Sequence, residues 1–153
     1  PARRGVRTCL HRRRHELAAV RRAGRSLKAF RRPWLWAASW MLAVAAVVAA
    51  SLLPPGDLPA APMANDKLMH FLGYFLLMAG AVQLYRRKLS WVAVAVTLAS
   101  LGIGLEWLQA AMHVGRTAER ADALANTLGV LAGFSTGFTP LRDLLLKLDG
   151  GRD

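Results

Sequence analysis

Long apolar runs alternate with short polar ones along the chain. Residues 33–53 carry no charge, and at about 1.5 Å per residue a helix of that length covers the roughly 30 Å hydrocarbon core of a bilayer. The run is entered through Trp34, Trp36 and Trp40, an aromatic belt at headgroup level, and is left through Pro54-Pro55-Gly56, which breaks a helix. Residues 68–85 form a second apolar run, interrupted by His70 near its start and Gln83 near its end. Residues 89–108 form a third, uncharged until Glu106. Residues 123–141 form a fourth, uncharged but only moderately apolar, with Gly129, Gly133 and Gly137 at four-residue spacing on one helix face. A face of small residues permits close backbone approach, which suits the interior of a bundle or contact with a second copy of the chain. The pattern predicts an all-α polytopic membrane protein built as a four-helix transmembrane bundle. Residues 1–32 precede the bundle, residues 33–141 form it, and residues 142–153 are a short tail.

Composition agrees with that reading, since 54% of the 153 residues are hydrophobic and fall in blocks. Charge refines it. Residues 1–32 hold twelve of the 21 Lys+Arg and one acid, Glu16, so this segment carries about +11 of the formal +12. A nucleic-acid arm, a targeting peptide and a juxtamembrane segment held by anionic lipid all fit such a run. The third is favoured, because the first apolar run starts directly after Arg31-Arg32. Membrane lipid, and no nucleic acid, is the expected partner. Residues 16–30 show a loose amphipathic pattern through Leu17, Val20, Leu27 and Phe30 that suits a short interfacial helix. A cleaved signal peptide is disfavoured, since the basic region is too long and no small-residue cleavage site ends the apolar run. Cys9 stands alone, which excludes an intrachain disulfide and leaves an incidental thiol.

Basic residues in the loops set the orientation. The loop after the first run has no Lys or Arg, the next carries Arg86-Arg87-Lys88, and Arg142, Lys147 and Arg152 follow the fourth run. Positive-inside bias then places both termini in the cytoplasm and residues 109–121 outside. Arg116 and Arg120 run against that bias, which suggests pairing with acids or retention of an anion.

Four polar clusters consequently gather at the outer interface: Asp66-Lys67 with His70, Glu106 with Gln109, Gly115-Arg116, and Asp122 with Asn126. Ionisable groups near hydrocarbon are costly unless paired or wetted, so they mark a candidate site. His70 suits proton transfer, with Asp66 one turn away to orient it. Glu106, at the end of an apolar helix, suits an acid or base, and Asp122 completes the catalytic candidates. Asp66, Lys67, Gln109, Arg116 and Asn126 are ligand-binding candidates, with Arg116 able to take a phosphate or carboxylate in a forked geometry. No activated Ser or Cys lies in a recognisable motif. One histidine with scattered carboxylates, His70 with Glu106 and Asp122, is a weak metal signature, and neither a metal nor another cofactor is expected. The same groups would also serve as an ion-pair network that fixes helix ends.

The series Asp66-Lys67-x-x-His70 with Tyr74, Glu106-x-x-Gln109, Gly115-Arg116 and Asp122-x-x-Ala125-Asn126-x-x-Gly129 with Gly133 resembles the VanZ-like family of small bacterial membrane proteins. The resemblance covers about residues 41–138. It implies a four-helix integral membrane domain with its motif residues at these positions, and an association with resistance to the glycopeptide teicoplanin. It implies no reaction. Arg120 beside Asp122 and the long basic segment depart from the family pattern. The expected function is to bind or act on an anionic envelope component, either a lipid-linked precursor or a glycopeptide-type antibiotic, at an outward-facing site. The alternative is a scaffold subunit whose polar cluster only stabilises helix packing. A transporter is disfavoured, because the polar groups sit near one end and no inverted repeat or broken helix is apparent.

Overall fold

The computed structural model describes residues 26–52, 66–112 and 119–150. Among these residues every regular element is helical. Helix α1 spans Pro33–Leu52, α2 spans Asp66–Leu84, α3 spans Lys88–Met112 and α4 spans Arg120–Ser135. Two 3-10 turns, Thr136–Phe138 and Pro140–Asp143, lead to the short α5, Leu144–Asp149. The first three helices are long and apolar enough to cross a membrane. Pro33 opens α1, where its missing N–H costs nothing.

The fourth run differs from expectation. Its 16-residue helix is about 24 Å long, and it gives way to 3-10 turns where residues 136–141 were expected to continue it. Hydroxyls explain the change: Ser135 Oγ donates to Ala132 O at 2.7 Å, Thr136 Oγ1 to Gly133 O at 2.6 Å and Thr139 Oγ1 to Thr136 O at 2.7 Å. Such bonds compete with the helical ladder, and Pro140 then prevents its resumption.

The tightest pairing in the fold joins α2 to α4. A Cβ added at Gly129 would lie 2.3 Å from Phe71 O, and one at Gly133 would lie 2.6 Å from Phe75 O. Only glycine admits the α2 backbone that closely. The Gly129–Gly133 part of the glycine face, expected to suit a bundle interior or a second copy, is occupied by α2 of the same chain. Gly137 takes a different neighbour, the ring of Trp91, at 2.6 Å from the same kind of added Cβ. The core, around Tyr74, Met78, Val82, Leu98 and Val130, lies among α2, α3 and α4.

Helix α1 is peripheral, with Ser51 as its one buried residue. Trp40 docks it: the indole N–H donates to Leu77 O at 2.8 Å, and the ring lies over Gly80. Trp36 donates to Asp149 Oδ1 at 2.9 Å. Of the three tryptophans expected to form a belt, Trp34 alone is largely exposed. The rest of α1 presents Met41 and Leu42 outward, as do α2 with Leu76 and α3 with Val96. An apolar exterior of this kind suits hydrocarbon on all sides.

Residues 26–30 belong to the fold instead of a free basic tail. They run extended, so the expected interfacial helix over 16–30 does not reach this far; residues 16–25 lie outside the described residues. Leu27 forms an antiparallel bridge with Tyr85, with Lys28 N–H donating to Leu84 O at 2.9 Å and Arg86 N–H to Ser26 O at 2.8 Å. Lys28 is buried, and its ammonium donates to Val82 O at 2.9 Å and to Arg142 O, and pairs with Asp143 Oδ1 at 2.9 Å. Asp149 accepts from Arg31 N–H at 2.6 Å. The segment before α1 and the end of the chain therefore meet at one end of the bundle.

Candidate functional site

At the opposite end, α2 and α4 both begin with acidic residues in their first turns, Asp66 and Asp122, where the helix dipole favours negative charge. The Gly129–Gly133 contact holds these two helices at backbone distance. Their first turns are consequently brought together, and side chains four residues apart on each helix share the facing side.

The arrangement is layered. In the outermost layer Lys67 Nζ lies 2.8 Å from Glu119 Oε2 and 3.7 Å from Asp122 Oδ1. The bond from Lys67 and its charge hold the Glu119 carboxyl below its ordinary value. Both partners are about half exposed, so this pair contributes little to stability. Asp122 is buried, and its Oδ1 accepts no hydrogen bond among the described residues.

One turn deeper, His70 Nδ1 lies 3.1 Å from Asn126 Oδ1. A carboxamide oxygen only accepts, so Nδ1–H is the donor, and the lone pair of neutral His70 is on Nε2. That nitrogen faces Asp66 Oδ2 at 3.9 Å. Asn126 itself is almost fully buried, packed over Gly102, where an added Cβ would come within 3.1 Å of both Asn126 and the Tyr74 ring.

Deepest is Tyr74, whose hydroxyl is buried without a hydrogen-bond partner among the described residues, with Glu106 buried on α3. Gln109, one turn beyond Glu106, donates to Ser51 O and ties α3 to the end of α1.

The expected residues therefore divide. Asp66, Lys67, His70, Asp122 and Asn126 converge at the α2–α4 mouth. Of the three catalytic candidates, His70 and Asp122 are neighbours there, together with Asp66, whereas Glu106 faces the deeper Tyr74 layer. Gln109 is committed to a backbone carbonyl between helices. Arg116, with Gly115 and His113, lies outside the described residues. Two participants were not on the expected list. Glu119 supplies the closest partner of Lys67, and Tyr74, used only as a mark of resemblance, carries a buried hydroxyl. The signal for Tyr74 was its i, i+4 spacing from His70 on the same helix face.

A cavity of about 440 Å³ lies elsewhere, at the Lys28 end, lined by Lys28, Arg86, Trp91, Arg142 and Asp143 among others. Lys28 has no remaining donor to offer a ligand there, because its three contacts are all within the chain.

No protein-family model matches the chain, and no curated protein or solved structure does so either.

Proposed function

We propose that the chain is a VanZ-like integral membrane protein of the bacterial inner membrane that binds or acts on an anionic envelope component at the α2–α4 mouth. The carrying observation is the convergence of Asp66, Lys67, His70, Glu119, Asp122 and Asn126 at one end of apolar helices. In this reading the mouth faces outward, both termini are cytoplasmic, and a lipid-linked precursor or a glycopeptide-type antibiotic is the ligand. Lys67 and Arg120 supply positive charge at the rim.

The reading takes the chain across the bilayer four times. Residues 120–141 begin beside His70 and end beside Gln83, whose Nε2 donates to Leu141 O at 2.7 Å. These contacts lie at opposite ends of α2, itself a candidate span. Helix α4 plus one 3-10 turn supplies roughly 30 Å of rise, about the thickness of the hydrocarbon core.

A scaffold role is the alternative, and one observation favours it: Asn126–His70 and Gln109–Ser51 both join helices, as polar residues do in membrane bundles. An alanine series at His70, Glu106, Arg116 and Asp122 separates the two, scored for membrane abundance and for susceptibility to glycopeptides and other envelope-directed agents in a deletion strain. Abundance held with phenotype lost is the expected result. Abundance falling in step with phenotype would leave the scaffold role.

A further inference from the structure

We infer that Asp66, His70 and Asp122 form a binding site for a divalent transition-metal ion, Zn2+ or Mn2+, at the mouth between α2 and α4. One ligand atom from each residue lies within 4.8 Å of the other two. Zinc bonds of about 2.0–2.2 Å place tetrahedral ligand atoms roughly 3.3–3.6 Å apart. The site is thus about an ångström too open, and Asp66, whose side chain is 62% exposed, is free to close it by rotation. A sequence reading that weighed Glu106 as the third ligand missed Asp66, which shares the His70 helix face and reaches the same point.

Three further features belong to a metal site. First, Asn126 accepts from His70 Nδ1–H, which leaves the Nε2 lone pair to coordinate; an outer-shell acceptor of this kind commonly fixes a metal-binding imidazole. Second, Asp122 is 5% exposed and its Oδ1 has no hydrogen bond among the described residues, which leaves a buried carboxylate oxygen directed at the mouth. Third, among the described residues the carboxylates of Asp66, Glu119 and Asp122 outnumber the cations Lys67 and Arg120 at the mouth. The net negative charge favours a cation. Lys67 stands 3.7 Å from Asp122 and 2.8 Å from Glu119, so it retains Glu119 when a metal takes Asp122. An imidazole among the ligands favours Zn2+ over Ca2+ or Mg2+, and the two carboxylates also admit Mn2+.

Three protein ligands leave a zinc ion one position for water or for an oxygen of an anion. An anionic headgroup would gain a direct attachment there. The metal site stands on its own contacts, however, whatever the ligand of the mouth is.

The test uses the full chain in detergent micelles, purified without a histidine tag, and measures Zn2+ and Mn2+ by equilibrium dialysis, with the visible spectrum of the Co2+ form reporting coordination. One ion per chain is expected, with affinity reduced about tenfold or more in Asp66→Asn and in His70→Gln, and retained or increased in Lys67→Met. Asp66→Asn changes an exposed, isosteric side chain, so its thermal melting matches wild type and its loss of affinity reports the site. Absence of saturable binding of either ion to the wild type would overturn the proposal. So would His70→Gln binding like the wild type, which would place the ion on another histidine.

Discussion

Asn126 on α4 and His70 on α2 face each other at 3.1 Å in the buried layer beneath the mouth, and that single contact fixes which imidazole nitrogen points outward. Replacing Asn126 with Ala removes the acceptor of a buried N–H. The expected cost is about 1–2 kcal/mol, within the range for interhelical polar contacts in membranes and for unsatisfied buried donors. Thermal unfolding of the purified protein in detergent measures it, and a variant as stable as wild type would show that water or another group takes the place of Asn126.

Glycines on α3 and α4 should differ sharply in tolerance. Gly129→Ala places a methyl group 2.3 Å from Phe71 O, a backbone atom that cannot rotate aside, and overpacking of this kind costs about 1–3 kcal/mol. Gly104→Ala meets nothing within 4 Å and should be neutral or gain up to about 1 kcal/mol from helix propensity. Membrane abundance and melting temperature of the two variants, measured side by side, decide the matter.

Lys28→Met strips from Asp143 one of its two charge partners, Arg142 Nε at 2.8 Å being the other, and removes the donor to Val82 O and Arg142 O. A loss of about 2–3 kcal/mol is expected, near the lower bound for breaking a buried pair because Asp143 is partly exposed. Adding Asp143→Asn should restore part of the stability, since the carboxylate left facing the emptied Lys28 site is then neutral. Stability of the double variant below that of Lys28→Met would show that the pair is not the source.

Acid should loosen the same end first. Burial, the largest influence on Asp143, pushes its carboxyl up, but hydrogen bonds and charge from Lys28 and Arg142 outweigh it and hold the group below 3.8. The Trp36 indole, the Arg31 N–H and nearby arginine charge hold Asp149 below 3.8 as well. A carboxylate lowered on folding contributes stability that is fully present above its unfolded value and is lost as pH falls through the folded one. The gap in melting temperature between wild type and Asp149→Asn should therefore be constant from neutral pH to about 4 and close below it. A gap that closes near pH 6 would implicate a different group.

The proposed alternation of α1–α3 makes a labelling prediction. A membrane-impermeant maleimide should modify Cys9 in inverted vesicles and not in spheroplasts, whereas a Cys9→Ser, Arg120→Cys double variant should show the reverse. Labelling of both sites from the same side would mean that α1–α3 do not alternate as proposed.

Uncharged runs in the sequence made α1, α2 and α3 legible, because helices of that length need little beyond apolar residues and an absence of breakers. The fourth run misled, since no charge marks its break; Ser135, Thr136 and Gly137 act through local hydroxyl bonds and through the Trp91 ring, a tertiary neighbour. Helical spacing put Asp66 with His70 and Asp122 with Asn126 on common faces, and the structure brings those faces together. Which helix would meet which was not legible. Glu106 and Gln109 share a face too, yet that face turns to Tyr74 and Ser51 because the glycines on α4 choose α2 as the close partner. Lys28 was invisible for a related reason: among eleven other basic residues in that segment, its burial depends on a carboxylate 115 positions away.

That separation has a consequence for biogenesis. A ribosome releases Lys28 long before Arg142 and Asp143 exist, and the chain cannot close this end until α2 and the turn after α4 have both emerged. Sealing of the Lys28 end thus waits for the turn after α4, and a chain truncated before Asp143 lacks that clasp on the segment preceding α1.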